Sequence, residues 1–210
     1  MPDRFTAYCL LLPVAGVLLG ERAAAGWLWD WANGFGFAAF GGLIYLSLQG
    51  RKSNLQLTHK DFSYAVIVLL AAHVILLLLK DSLVLDYVLP GAPMYMWSGV
   101  LALLLLLFIV ISAVPGYRKC SFYDGYAFRR WHKPLSWVLI ACAAYHIVGT
   151  GFYIRTPLQY FAIALLLGPL FIPARFNDHV NITTYSPLGF LTAGVAASAL
   201  LSVTLNWPQN

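Results

Sequence analysis

The chain has 210 residues, 60% of them hydrophobic and 10% charged, with a formal net charge of +5 at pH 7 and a mean hydropathy of +0.74. So apolar a composition excludes a soluble domain of this length and predicts an integral membrane protein. The positive charge does not point to nucleic acid, because the basic residues cluster in short loops between apolar runs, where orientation in a bilayer explains them.

Apolar runs of about 17 to 25 residues, enough for a helix to cross a membrane, lie at roughly 5–21, 31–50, 60–79, 95–114, 132–153, 157–174 and 187–206. They predict an all-α polytopic transmembrane bundle of six core helices plus a seventh, C-terminal helix over about 187–206. Residues 1–210 form one transmembrane domain in this reading. The longest connections, around 80–94 and 115–131, are too short to fold alone, and Pro90-Gly91-Ala92-Pro93, Pro115-Gly116 and Pro173 punctuate the junctions. The opening stretch resembles a signal peptide, with Arg4, an apolar core and the small run Ala23, Ala24, Ala25. A retained first helix is preferred, because it completes the topology.

A cytoplasmic amino terminus places ten basic residues inside, namely Arg4, Arg51, Lys52, Lys60, Arg118, Lys119, Arg129, Arg130, Lys133 and Arg175. Only Arg22, Lys80 and Arg155 then fall outside, a clear positive-inside bias. The third and fifth runs thereby point the same way, from inside to outside. Trp27, Trp29, Trp31, Trp97 and Trp207 gather toward the expected outer edge as interface anchors. Cys9, Cys120 and Cys142 make no close-spaced motif, so neither a zinc site nor a disulfide framework is expected.

The third and fifth runs each carry two histidines fourteen residues apart, His59 with His73 and His132 with His146. On a helix that interval spans about 21 Å and returns the second imidazole to within ~40° of the first. Histidine within an apolar span is costly and usually faces a partner, cavity or cofactor. Packing alone gives no reason to repeat the interval. If the two helices stand side by side and parallel, His59 meets His132 and His73 meets His146. Imidazole suits iron, copper and zinc alike. With no nearby Cys, Asp or Glu to complete a tetrahedral shell, two imidazoles per site are what a six-coordinate haem takes. Helical phase puts Ser63, Val66 and Leu70, and Ser136, Leu139 and Ala143, between the ligands, where the macrocycle needs room.

These histidine pairs, with the His59-Lys60 start of the first and the Arg130-Trp131-His132 start of the second, resemble the ferric reductase-like transmembrane domain. Ferric reductases, NADPH oxidases and the bacterial membrane subunit of methionine sulfoxide reductase share that domain. The likeness covers roughly residues 1–175. It implies two b haems, the inner on His59 and His132 and the outer on His73 and His146, in a bacterial inner (plasma) membrane. Electrons in that family pass from a cytosolic flavin through both haems to an outer acceptor. The chain has no G-x-G-x-x-G fingerprint, so flavin and NAD(P)H are expected on a partner, a cytoplasmic flavoprotein or ferredoxin-like donor. The acceptor is a ferric chelate, a quinone or a periplasmic protein.

Arg129, Arg130 and Lys133 flank His132, and Lys80 and Arg155 follow the outer ligands, all within reach of haem propionates. Topology and snorkelling to headgroups compete as explanations for these charges. Superoxide-producing relatives carry an arginine on the second helix and a histidine one turn beyond the outer ligand of the third. Residues 31–50 lack the arginine and Leu77 occupies that turn, which disfavours dedicated oxygen reduction. His179 reads as a surface histidine, and the Asn181-Ile182-Thr183 acceptor sequence falls on the inner side, where it has no glycosylation role. Two alternatives stand beside the electron-transfer reading: a cytochrome b561-like quinol oxidoreductase, and a haem-free membrane scaffold or metal or proton transporter.

Overall fold

The computed structural model describes residues 16–18, 25–48, 56–114, 116–117, 125–171 and 186–207. Among them every regular element is helical and none is a strand. The helices are α1 (Trp27–Leu48), α2 (Gln56–Lys80), α3 (Met94–Ala113), α4 (Gly125–Thr150), α5 (Pro157–Leu167) and α6 (Pro187–Asn206). Short 3-10 segments run over Ser82–Val88 and Gly168–Phe171. Four stretches among the described residues are long and apolar enough to cross a membrane: α1, His59–Lys80 of α2, α3 and α6. The chain forms two compact units, residues 1–84 with 151–210, and residues 85–150.

In the first unit, α1 lies between α2 and α6, and small residues let the backbones close. A Cβ built at Gly42 would sit 2.6 Å from Val66 Cγ2 and 2.7 Å from Phe190 Cζ, and one at Gly34 would sit 2.7 Å from the Ser198 Cα. Only glycine fits such approaches, the usual device where helices meet without a hydrophobic drive between them. Residues 36, 42 and 45 of α1 meet 73, 66 and 62 of α2, so these helices run antiparallel. Residues 34 and 42 of α1 meet 198 and 190 of α6, the same relation. The rings of Tyr45, Phe62 and Phe190 join the three helices, with centroids 4.7 Å and 4.1 Å apart along the chain of contacts. All three are essentially buried.

A second join, at the other end of α1, is polar. Asp30, in the first turn of α1, is 0% exposed. Its carboxylate accepts from Tyr153 Oη at 2.7 Å, from Asn206 Nδ2 at 2.7 Å and from the Ala25 amide at 3.3 Å. One acid thus ties the start of α1 to the segment after α4 and to the last turn of α6. Ser202 Oγ adds a bond to the Trp27 carbonyl at 2.8 Å. Because α1 and α6 are antiparallel, Trp27 and Trp207 lie at this same end of the unit, both exposed.

Burial, followed by the hydrogen bond and charge of Asp30, pushes the Tyr153 phenol well above its usual range, only partly offset by Asn33. A proton held more tightly in the folded than in the unfolded state gives stability that is complete below the ordinary tyrosine pKa of about 10 and lost above it. Alkaline unfolding should therefore steepen above pH ~10, and Tyr153→Phe should flatten that slope while lowering stability at neutral pH. Parallel pH titrations of the unfolding midpoint for the two proteins check this.

α5 starts on a capping box: Thr156 Oγ1 accepts from the Gln159 amide and Gln159 Oε1 accepts from the Thr156 amide, with Pro157 in the first turn. Gln159 Nε2 donates to the Val17 carbonyl at 3.0 Å, so this buried amide also holds the helical residues 16–18. In the second unit α3 and α4 pack as an antiparallel pair, since residues 95 and 99 meet 149 and 146.

The third run begins earlier than expected, at Gln56, which brings His59 inside a helix. The fifth begins at Gly125 and stops at Thr150 rather than 153, because Gly151 takes φ +59°. α4 is not among the four crossing-length apolar helices; Arg129, Arg130, His132 and Lys133 fill its second and third turns. The sixth run is helical over Pro157–Phe171, and its last expected residues, 172–174, lie outside the described residues. The first run, apart from residues 16–18, lies outside the described residues, as do Arg4, Arg22, Arg51, Lys52, Arg118, Lys119, Arg175, His179 and Asn181.

Candidate functional site

The four histidines divide evenly between the units. His59 and His73 sit on α2 in the first, His132 and His146 on α4 in the second. All four are partly buried.

His73 and His146 are held in the same way. His73 Nδ1 lies 2.9 Å from the Ala32 carbonyl of α1, and His146 Nδ1 lies 3.0 Å from the Tyr95 carbonyl of α3. A carbonyl oxygen only accepts, so each Nδ1 carries the proton and donates it. In a neutral ring that leaves the in-plane lone pair on Nε2, the form in which imidazole binds a metal. Each bond also fixes the ring's rotation against the preceding helix of its own antiparallel pair.

His59 and His132 match as well. Ser63 Oγ donates to the His59 carbonyl at 2.6 Å and Ser136 Oγ to the His132 carbonyl at 2.8 Å, in both cases one turn on. Such back-bonding satisfies a hydroxyl inside an apolar helix. The Phe128 ring lies 5.0 Å from His132, tilted by 40°. Pro134, two residues beyond His132, removes the amide that would have bonded to the Arg130 carbonyl.

Of the positions expected to leave room beside the histidines, Val66 does otherwise. It is 0% exposed and presses on α1 at Gly42. The reason lies in α1, whose glycines draw α2 in so closely that this turn becomes interface. Leu139 is also buried, while Ser63, Leu70, Ser136 and Ala143 keep partial exposure.

The basic candidates separate by setting. Arg129, Arg130 and Lys133 are exposed on α4 around His132. Lys80 is exposed at the end of α2. Arg155 is exposed too, but its Nε donates to the Gly151 carbonyl at 2.8 Å and its guanidinium lies 5.4 Å from the Phe152 ring centroid, folding it onto its own connector.

Three residues that matter here gave weaker signals in the sequence. Asp30 is an acid beside an apolar run, a position that ordinarily marks a buried role. Gly36 and Gly99 give no signal in one sequence, since nothing there tells a glycine against an imidazole from one against lipid. Among the described residues no group of three His, Cys, Asp or Glu side chains is placed to hold a metal ion. Comparisons with models of protein families, with curated protein sequences and with solved structures find no match.

Proposed function

We propose that the chain is the haem-bearing membrane subunit of an electron-transfer system, a ferric reductase-like protein of the bacterial inner membrane. In this reading His59 and His132 ligate an inner b haem, and His73 and His146 an outer one. The matched Nδ1-to-carbonyl bonds of His73 and His146 carry the proposal. Metal-ligating histidines characteristically commit their other N–H to a carbonyl or carboxylate, which sets the tautomer and raises ligand basicity. Two histidines in helices of separate units, arranged so alike, are better explained by a shared ligand duty than by chance packing.

The donor set suits haem, which asks two axial groups of its protein and takes the other four bonds from the macrocycle. When bound, haem supplies one-electron chemistry at the iron. The chain's own residues supply ligation, ring orientation, an apolar surround and charge. Arg129, Arg130 and Lys133 are exposed where propionates of an inner haem, or an acidic donor protein, would meet them. Lys80 and Arg155 take the corresponding place on the outer side.

The reading requires seven crossings with a cytoplasmic amino terminus, so that α2 and α4 run parallel and the pairs align. Support comes from the four helices of crossing length and the ten-to-three division of basic residues. Electrons enter from a cytoplasmic flavoprotein or ferredoxin-like partner and leave to a ferric chelate, a quinone or a periplasmic protein.

Reconstitution into liposomes enclosing a ferric chelate tests the direction of transfer. A reduced flavodoxin added at the exposed inner face should reduce the chelate inside, and heat-inactivated protein should not. Equal reduction of both haems by a membrane quinol, with none by flavodoxin, would move the protein to the b561-like class. No transfer from either donor would sink the proposal.

A further inference from the structure

The geometry points to Gly36 and Gly99 as positioning residues for the outer imidazole pair, an inference that rests on the haem reading above. In an α-helix the carbonyl of residue i bonds the amide of residue i+4, and its second lone pair faces sideways past that residue's side chain. Ala32 and Tyr95 are the acceptors of the two imidazole protons, and the residues four positions on are Gly36 and Gly99. At both places the side chain that would screen the carbonyl is missing.

The fit is tight in each unit. A Cβ built at Gly36 would lie 2.9 Å from His73 Nδ1 and 3.0 Å from Cε1, and one at Gly99 would lie 2.7 Å from His146 Nδ1 and 2.9 Å from Cγ. Real Cβ atoms do not tolerate such distances, so even alanine would have to displace the imidazole from its carbonyl. Neither glycine needs a left-handed backbone, since both lie within helices and positive φ is confined to Gly26 and Gly151 among the described glycines. Their role is therefore space, opened beside a histidine proton. By baring the carbonyl they fix which nitrogen keeps its lone pair and how the ring is turned. The inner pair has its own matched feature, the serine bond to the histidine's own carbonyl.

Gly36→Ala and Gly99→Ala, made separately, test the inference against Gly194→Ala, whose Cβ would meet the flexible Leu69 side chain at 3.1 Å and no histidine. The readouts on detergent-purified protein are haem per chain, the two midpoint potentials and the low-spin electron paramagnetic resonance signals. Each of the first two variants should either lose one haem of two or raise one midpoint potential, because a weaker Nδ1–H bond makes a less basic ligand and favours ferrous iron. The other haem should keep its wild-type values, and Gly194→Ala should keep both. Two haems with unchanged potentials and signals in Gly36→Ala and Gly99→Ala would overturn the inference while leaving the haem reading intact. The same holds if Gly194→Ala reproduces their effect. Wild-type protein without haem would overturn both. The two glycines lie in different units, so misfolding of one variant leaves the other to decide.

Discussion

Replacing His73 or His146 with alanine should remove one of two haems, leave the other in place, and stop electron transfer across the membrane. Each variant deletes one axial imidazole and strands the carbonyl that receives its proton, Ala32 in one unit and Tyr95 in the other. A b haem held by two imidazoles and by no covalent bond to the chain would be released when one of those imidazoles is removed. The two variants should share one phenotype although the residues lie in different compact units. That identity is the point of the test, since two unrelated packing histidines would fail in unrelated ways. His59→Ala and His132→Ala should form the complementary pair, with the other haem lost. Redox difference spectra and haem content of the four variants read this out, and a pairing of His73 with any histidine but His146 would refute the assignment.

Asp30→Ala should be the most damaging substitution outside the histidines. The change leaves the Tyr153 hydroxyl and the Asn206 amide without the acceptor that each now reaches at 2.7 Å. A buried donor left unsatisfied costs about 1–3 kcal/mol; Tyr153 bears that in full, while the part-buried Asn206 amide keeps its bond to the Ser202 carbonyl, so the two together cost roughly 2–5 kcal/mol. For a chain of this size that corresponds to a fall in melting temperature of roughly 5–20 °C. Asp30→Asn should fall between, because its oxygen can still accept from Tyr153 while its amide nitrogen faces that of Asn206. Thermal unfolding followed by circular dichroism in detergent gives the comparison, and an unchanged midpoint in Asp30→Ala would show that the three-way tie carries no stability.

Hydropathy located the strongly apolar helices well. α3 and α6 begin and end within a residue of the runs read from sequence, because nothing polar blurs their ends. Boundaries failed where polar residues belong to helices. Gln56 to His59 extend α2, and Gly125 to Trp131 extend α4, since a backbone keeps its hydrogen bonds after the apolar pattern has stopped. α1 starts at Trp27, ahead of Asp30, whose carboxylate is satisfied by residues more than a hundred positions away. No local pattern encodes such partners. The histidines themselves were legible through their repeated interval of fourteen. What holds them was not, for a carbonyl acceptor can be any residue and a glycine seat looks like any other glycine. Phase set Val66 on the face of His73, and both meet glycines of α1, but one sequence does not tell that α1 closes over the Val66 turn.

The haem content of the purified chain decides whether the four histidines are ligands. Pyridine haemochrome analysis against protein mass should give two b-type haems per chain, both lost on denaturation because neither is covalently attached. Protein that is folded and monodisperse yet carries no haem would contradict the account, and would return the four histidines to packing, proton transfer or a divalent metal.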